Sequence, residues 1–300
     1  MIDIIITCFY KDECLENVLN KISIQEKKDR INKIIIINDS SPNTTDDYQS
    51  VIDKFKNDFK IQYLKTPYHY GCGKVRQMAL SYIESKYFIF HDDDDELYHS
   101  KSLNPFFNYI DYANENNIEI GYIKGGMIYA SKEMDVYEDA YFENQRNITF
   151  ALLNKDIIIK HNLSFKPIPM DEDVLFLDLY LYTLEFYYKD ALVETLYEPL
   201  YVINSHNDSI CNQGNQKMFF YLQILRIQQE LEFLLSLGNN ESNQKIIKIL
   251  NDKKEEFYFN LKNFNESENS DMFNIEDYLK LKSAIVYISE FFNIFDKKDF

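Results

Sequence analysis

Four consecutive aspartates, Asp92 to Asp95, stand directly behind the apolar run Tyr87 to Phe90 and His91. Like charges this close repel, and each is costly to bury without a partner, so the run requires something that neutralises it. Alternate residues of an extended chain face the same way, so Asp92 and Asp94 can offer two carboxylates to one hard cation. Mg2+ and Mn2+ both prefer oxygen ligands. Taken alone, the run also reads as a solvated acidic turn capping the next helix. A second acidic group, Asp171, Glu172 and Asp173, opens a strongly apolar stretch, where a helix N-terminus favours negative charge and capping accounts for one or two of the three.

The elements that must position these groups follow from two alternating periods. Ile4 to Ile6, Ile34 to Ile37, Ile61 to Leu64 and Tyr87 to Phe90 are short apolar runs that predict strands buried on both faces. Between them Leu15, Val18, Leu19 and Ile22, then Tyr48, Val51, Ile52, Phe55 and Phe59, then Val75, Met78, Ala79, Tyr82 and Ile83 recur at helical spacing. Strand, helix, strand, helix predicts an α/β fold with a mostly parallel sheet flanked by helices. Such sheets bind ligands outside the carboxyl ends of their strands, which is where TCFYKDE, NDSSPNTT and HDDDDE fall.

Bulk properties set limits on partners and compartment. The 300 residues are 45% hydrophobic and 16% aromatic, enough for one large core or two. A net charge of -17 repels phosphate backbones, so nucleic acid is disfavoured as a main partner. Cys8, Cys14, Cys72 and Cys211 lack paired metal-site spacing and read as reduced thiols of a cytoplasmic protein. No apolar run approaches the ~20 residues of a membrane span, which leaves peripheral docking on the inner membrane face open.

The segments IIITCFYKDECLENVL, IIIINDSSPNTT, YHYGCGKVRQMAL, FIFHDDDDEL and PMDEDVLF occur in the order and at the spacings of family 2 glycosyltransferases. Over roughly residues 1 to 210 the chain resembles these inverting enzymes of the GT-A fold. The resemblance implies a nucleoside-diphosphate-sugar donor, UDP-linked, a divalent Mn2+ or Mg2+, and a hydroxyl acceptor on a glycan or surface polymer. It divides the chain into a catalytic domain at 1–212, with 1–100 the nucleotide-sugar half and 101–212 the acceptor half, and a remainder at 213–300.

By resemblance, Thr7 to Tyr10, including Phe9, and Asp39 hold the nucleotide base, Asp39 accepting from a base N–H. Asp39 also reads as a turn or cap residue leading into Ser40, Ser41 and Pro42, and the two roles are compatible. Asn38 and Ser40 depart from the family's usual Asp-Asp-Gly-Ser. Gly71 through Gln77 is similar to the family's Gly-to-Arg-Asn segment; Gly71 allows close backbone approach, and the forked donors of Arg76 suit a phosphate or a base edge. The match places Asp92 on the ribose or the metal and Asp94 on the metal, with Asp93 pointing away. His91 reads as packing beside its strand. His206 is a further metal ligand in the resemblance and a structural histidine in its absence, while His69, His99 and His161 read as surface or packing residues. Glu172-Asp173 matches the family's Glu-Asp pair, which makes Asp173 the general base.

Two rival classes share parts of this pattern. A nucleotidyltransferase of related fold would carry a Gly-rich basic loop after its first strand, which TCFYKDE lacks. A non-catalytic sugar- or metal-binding protein of the same fold would differ in activity alone. From about residue 213 the resemblance is silent. Met218, Phe219, Leu222, Leu225 and Ile227 to Leu235 predict a long helix, with a break at 239–244 and more helix beyond. This region reads as a helical appendage, or as a module for homo-oligomerisation or acceptor docking.

Overall fold

The computed structural model describes residues 1–9, 11–130, 137–138, 147–168, 171–204, 216–238 and 241–267. The chain divides into two compact units, Met1–Ser164 with Thr183–Asn207, and Phe165–Tyr182 with Asp208–Phe300.

The first unit begins as the sequence periods predict: β1 (Ile2–Cys8), α1 (Asp12–Ser23), β2 (Ile31–Asn38), α2 (Gln49–Phe55), β3 (Ile61–Lys65), α3 (Cys72–Leu80) and β4 (Tyr87–Asp92). The short β5 (Glu96–Leu97), α4 (Asn104–Asn116), β6 (Ile120–Ala130), β7 (Tyr137–Glu138), β8 (Ala151–Asn154) and α5 (Lys155–Lys160) follow, and β9 (Leu192–Asn204) closes it. The strands form one sheet in the order β3-β2-β1-β4-β8-β6-β9-β5, with β7 on β6. Parallel pairing holds from β3 through β4 and between β6 and β9. It fails at β4–β8, β8–β6, β6–β7 and β9–β5, all antiparallel. The sheet is therefore mixed: parallel in the half built from strand-helix repeats, and mixed where that repeat stops.

Strand residues alternate between faces. Ile2, Ile4, Ile6, Ile34, Ile36 and Ile89 pack with Leu15, Val18 and Ile22 of α1, Val51 and Phe55 of α2, and Phe106, Phe107 and Ile110 of α4 in one core. Ile5, Ile35, Ile37, Phe88 and Phe90 face the other way and are buried too, which is why these runs are apolar at every position. Helix α2 is shorter than its apolar spacing predicts. Tyr48 is fully buried but has φ +63, and its N–H goes to Thr44 Oγ1 at 2.9 Å, so it precedes the helix instead of opening it. Tyr82 and Ile83 likewise lie beyond the end of α3.

In the second unit, α6 (Glu172–Tyr187) begins, and α7 (Gln216–Leu237) and α8 (Glu241–Ser267) form the helical region. Ile227, Leu231, Leu234 and Leu250 make its core, joined by Tyr182, Ile246 and Phe257. The predicted break is shorter than the polar stretch 239–244, because helix α8 already starts at Glu241. Asn243 Nδ2 donates to the carbonyl of Gly238 at 2.8 Å, so a residue that reads as a breaker instead satisfies the end of α7. No helix among the described residues is long and apolar enough to cross a membrane.

The pairing of β6 with β9 tolerates no side chain at Gly126, where the register shifts on both sides. A Cβ there would run into the carbonyl of Glu198, a backbone atom of the neighbouring strand that cannot move aside by a rotamer change. Gly126→Ala is expected to lower unfolding free energy by roughly 1–3 kcal/mol in urea titration. Wild-type stability in that variant would contradict the strand contact.

Candidate active site

The parallel register brings three strand ends to one level. Thr7 of β1 lies opposite Ile37 of β2 and Asp92 of β4, and Cys8 lies opposite Asn38. Chain order reverses direction across β1, with β2 on one side and β4 on the other, which is the crevice where open α/β sheets take ligands.

On the β2 side, Asp39 is buried and its carboxylate organises a loop. Oδ1 accepts from the Tyr70 N–H at 2.7 Å and the Thr66 hydroxyl at 3.2 Å, and Oδ2 accepts from the Gly71 N–H at 2.8 Å. His69 Nδ1 also lies 2.8 Å from Oδ2, and the His69 ring sits 4.3 Å from that of Phe9. Gly71 has φ +86, the left-handed region where glycine carries no Cβ penalty, and it caps α3. Phe9 is partly exposed, and its backbone is pinned at both polar atoms: its N–H donates to Asp93 Oδ2 at 2.9 Å and its carbonyl accepts from Ser41 Oγ at 2.8 Å.

The four aspartates have separate surroundings. Asp92 Oδ1 accepts from Arg76 Nη2 at 2.9 Å and Oδ2 from Thr149 Oγ1 at 2.8 Å. Burial alone would raise its pKa, but the Arg76 charge and these hydrogen bonds prevail and hold the carboxyl below its usual range. Arg76 is itself nearly buried, so its placement is that of a counter-ion for Asp92. Asp93 is turned toward β1, where it accepts from Phe9. Asp94 is pushed up to about 7, first by burial and then by the Asp92 charge. Asp95 is likewise raised well above the ordinary carboxylate range, first by burial and then by the Asp92 and Asp94 charges, although its Oδ1 accepts from the Asn204 N–H at 2.9 Å. His91 is buried against Tyr201, edge to face at 4.9 Å, and burial lowers its pKa to about 4, so it is neutral.

Several residues that shape this site carry no signal in the sequence. Thr149 lies in no motif, and it reaches Asp92 only because the Phe150 N–H bonds to the Phe90 carbonyl. Buried Lys124 donates to the carbonyls of Asn147 and Thr149 and so fixes that segment. Tyr201 accepts from the Asp92 N–H at 3.2 Å, and Asn204 Nδ2 donates to the Asp94 carbonyl at 2.7 Å. The contacts made to the aspartates come from residues 57 to 110 positions away, beyond the reach of any local pattern. His69, read from sequence as surface or packing, touches both Asp39 and Phe9.

Asp173 belongs to the second unit, where Glu172 and Asp173 form the first turn of α6. Tyr10 and His206 lie outside the described residues. Among the described residues, no three His, Cys, Asp or Glu side chains group closely enough to hold a metal by themselves. The donor chemistry nonetheless fits a hard cation: burial, and then the negative charge of their neighbours, raises the carboxyls of Asp94 and Asp95 above the usual range, and a bound cation would offset both effects.

The family model for glycosyl transferase family 2 matches residues 3–162. No curated protein sequence matches the chain. Among solved structures, residues 1–349 of TarS from S. aureus are similar at TM-score 0.60 and 16% identity, covering 82% of this chain and 69% of that one. The same protein in complex with UDP-GlcNAc gives 0.61 and 14%, over 82% and 70%. The mannosyltransferase PcManGT from Pyrobaculum calidifontis, in complex with GDP-Man and Mn2+, gives 0.51 and 12%, over 99% and 88%. At these identities the likeness shows the GT-A fold.

The raised pKa of Asp94 sets a pH dependence with a definite sign. Its folded value, about 7, lies above the reference of 3.8, so its contribution to stability is full below about pH 4 and fades as pH rises through about 7. Asp94→Asn removes the charge that causes the loss. In chelator at about pH 8 the variant is expected to melt about 2–8 °C above the parent, with the gain vanishing near pH 4. A lower melting temperature at pH 8 would overturn the electrostatic assignment.

Proposed function

Because this chain belongs to glycosyl transferase family 2, we propose that it transfers a sugar from a UDP-linked donor to a hydroxyl of a glycan or surface-polymer acceptor, with inversion at the anomeric carbon. The observation that carries the reading is the convergence of Thr7 and Phe9, the Asp39-held loop, and the Arg76–Asp92 pair at the carboxyl ends of β1, β2 and β4. The UDP-GlcNAc and UDP complexes of TarS support the choice of base.

In this reading Phe9 and Asp39 bind the nucleotide base. Asp39 already accepts from four protein donors, so it acts largely by holding Tyr70 and Gly71 where they shape the pocket, and a base N–H competes for a lone pair. Asp92, held ionised by Arg76 and Thr149, is set to accept from ribose hydroxyls. Asp94, with Asp92 beside it and His206 as the further ligand implied by the family pattern, would hold Mg2+ or Mn2+. When bound, that cation neutralises charge on the diphosphate leaving group.

The chain's own contribution to the chemical step is Asp173. As the acceptor oxygen bonds to the anomeric carbon, the bond from that carbon to the diphosphate oxygen breaks, and the Asp173 carboxylate takes the hydroxyl proton. Inversion requires the base and the leaving group to lie on opposite sides of the sugar. The bland role for residues 213–300 is support of the catalytic fold, and homo-oligomerisation is the alternative.

The test combines a donor panel with one substitution. UDP- and GDP-sugars are scored with Mn2+ for thermal stabilisation and for release of the nucleoside diphosphate, and a UDP-sugar is expected to score highest. With that donor, Asp173→Asn should bind normally and melt within a few degrees of the parent, since the change is isosteric and loses only a first-turn charge against the helix dipole, while turnover falls on the order of 10²–10⁴-fold. Normal binding with undiminished turnover excludes Asp173 as the base and passes the role to Glu172 or Asp171.

A further inference from the structure

The residue that opens α6 is held by the C-terminal region. Asp171 accepts from the Leu175 N–H through its carbonyl at 2.9 Å, which makes it the N-cap of the helix whose first turn carries Glu172 and Asp173. Its φ is +61, a left-handed conformation that crowds any residue with a Cβ, though aspartate tolerates it better than most. Its carboxylate is drawn to α7: Oδ2 accepts from Gln223 Nε2 at 2.6 Å and lies 3.4 Å from Arg226 Nη1. Gln223 is buried, and Arg226 is braced in turn, its Nε lying 3.3 Å from Glu230 Oε1. Glu230 is buried and its Oε2 accepts from the Tyr182 hydroxyl of α6 at 2.9 Å. Residues 223, 226 and 230 share one face of α7 by helical spacing, so one polar stripe grips α6 at its N-cap and again three turns on.

We propose that Gln223 and Arg226 are positioning residues for sugar transfer: by holding the Asp171 carboxylate they fix the backbone turn at the start of α6 and so the direction of the Asp173 side chain. The inference rests on Asp173 being the base. It assigns α7 a part in the reaction that its apolar periodicity does not suggest. Position matters steeply here, because misplacing a reacting group by about 1 Å can cost on the order of 10²-fold in rate.

Gln223→Met removes the donor with little change in volume and strands no charge. Asp171→Gly removes the acceptor at a φ that glycine adopts freely. Both variants are assayed with UDP-GlcNAc and Mn2+, water serving as acceptor and UDP release as the readout. Each is expected to lower kcat by roughly 10–100-fold with KM for the donor changed by less than about twofold, and the double variant to lose no more than the worse single. Amide exchange in the first turn of α6 should speed up in both, a readout independent of turnover. Wild-type kcat in the single variants, losses that multiply in the double, or unchanged exchange would overturn the proposal. Asp173→Asn is run alongside. If it is inactive while Gln223→Met is unaffected, the positioning role alone falls; if it turns over at the parental rate, the base reading falls and takes this inference with it.

Discussion

Four consecutive aspartates can stand at the end of a buried strand because the fold gives each a different environment. Asp92 is neutralised by Arg76 and hydrogen-bonded by Thr149, and Asp93 is turned to the Phe9 N–H just past the end of the neighbouring strand. Asp94 and Asp95 are left with burial first and the repulsion of their neighbours second, and both raise their carboxyls above the ordinary range. The Arg76–Asp92 pair is the contact on which the rest depends. Without it the first carboxylate would be a part-buried charge with only Thr149 to answer it, and the strand end could not readily keep an ionised group facing the crevice. The excess charge left at Asp94 and Asp95 is what a divalent cation would relieve.

How much of this could be read in the sequence depended on the range of the interaction. The strands at Ile4 to Ile6, Ile34 to Ile37 and Tyr87 to Phe90 were legible because burial on both faces demands unbroken apolar runs. The crevice followed from the rule that such strands bind at their carboxyl ends. The mixed half of the sheet was not legible, since β6, β8 and β9 pair across long separations with no helical repeat between them. Tyr48 shows the same limit locally: its apolar spacing fits a helix, but a left-handed φ and a hydroxyl cap from Thr44 place it before one. At the site, strand ends, residue types and the family resemblance together pointed to Asp39, Arg76, Asp92 and Asp94, yet not to their partners. Thr149, Lys124, Tyr201 and Asn204 support the aspartates from distant segments of ordinary composition.

Arg76 and His69 show how burial alters a reading made from residue type. A forked cation near a glycine-rich helix start suggests a ligand contact, but the side chain is nearly buried and matched to Asp92, so its effect on a donor passes through that carboxylate. His69 reads as unremarkable in the sequence and instead joins Asp39 to Phe9. In the helical region the polar stripe of Gln223, Arg226 and Glu230 interrupts an apolar face and would read as a weakness in packing. Each of these side chains is matched within the second unit, to Asp171 or to Tyr182.

Raised to about 7 by burial and by the Asp92 charge, the Asp94 carboxyl holds a proton near neutral pH that a bound cation must displace. Calorimetric binding of UDP with Mn2+ at about pH 6.5, repeated in buffers of different ionisation enthalpy, measures this directly. With Asp94 raised to about 7, binding at this pH should release most of one proton from that carboxyl. The release should shrink as pH rises past about 8. Binding of UDP and Mn2+ with no proton release at the lower pH would contradict the account.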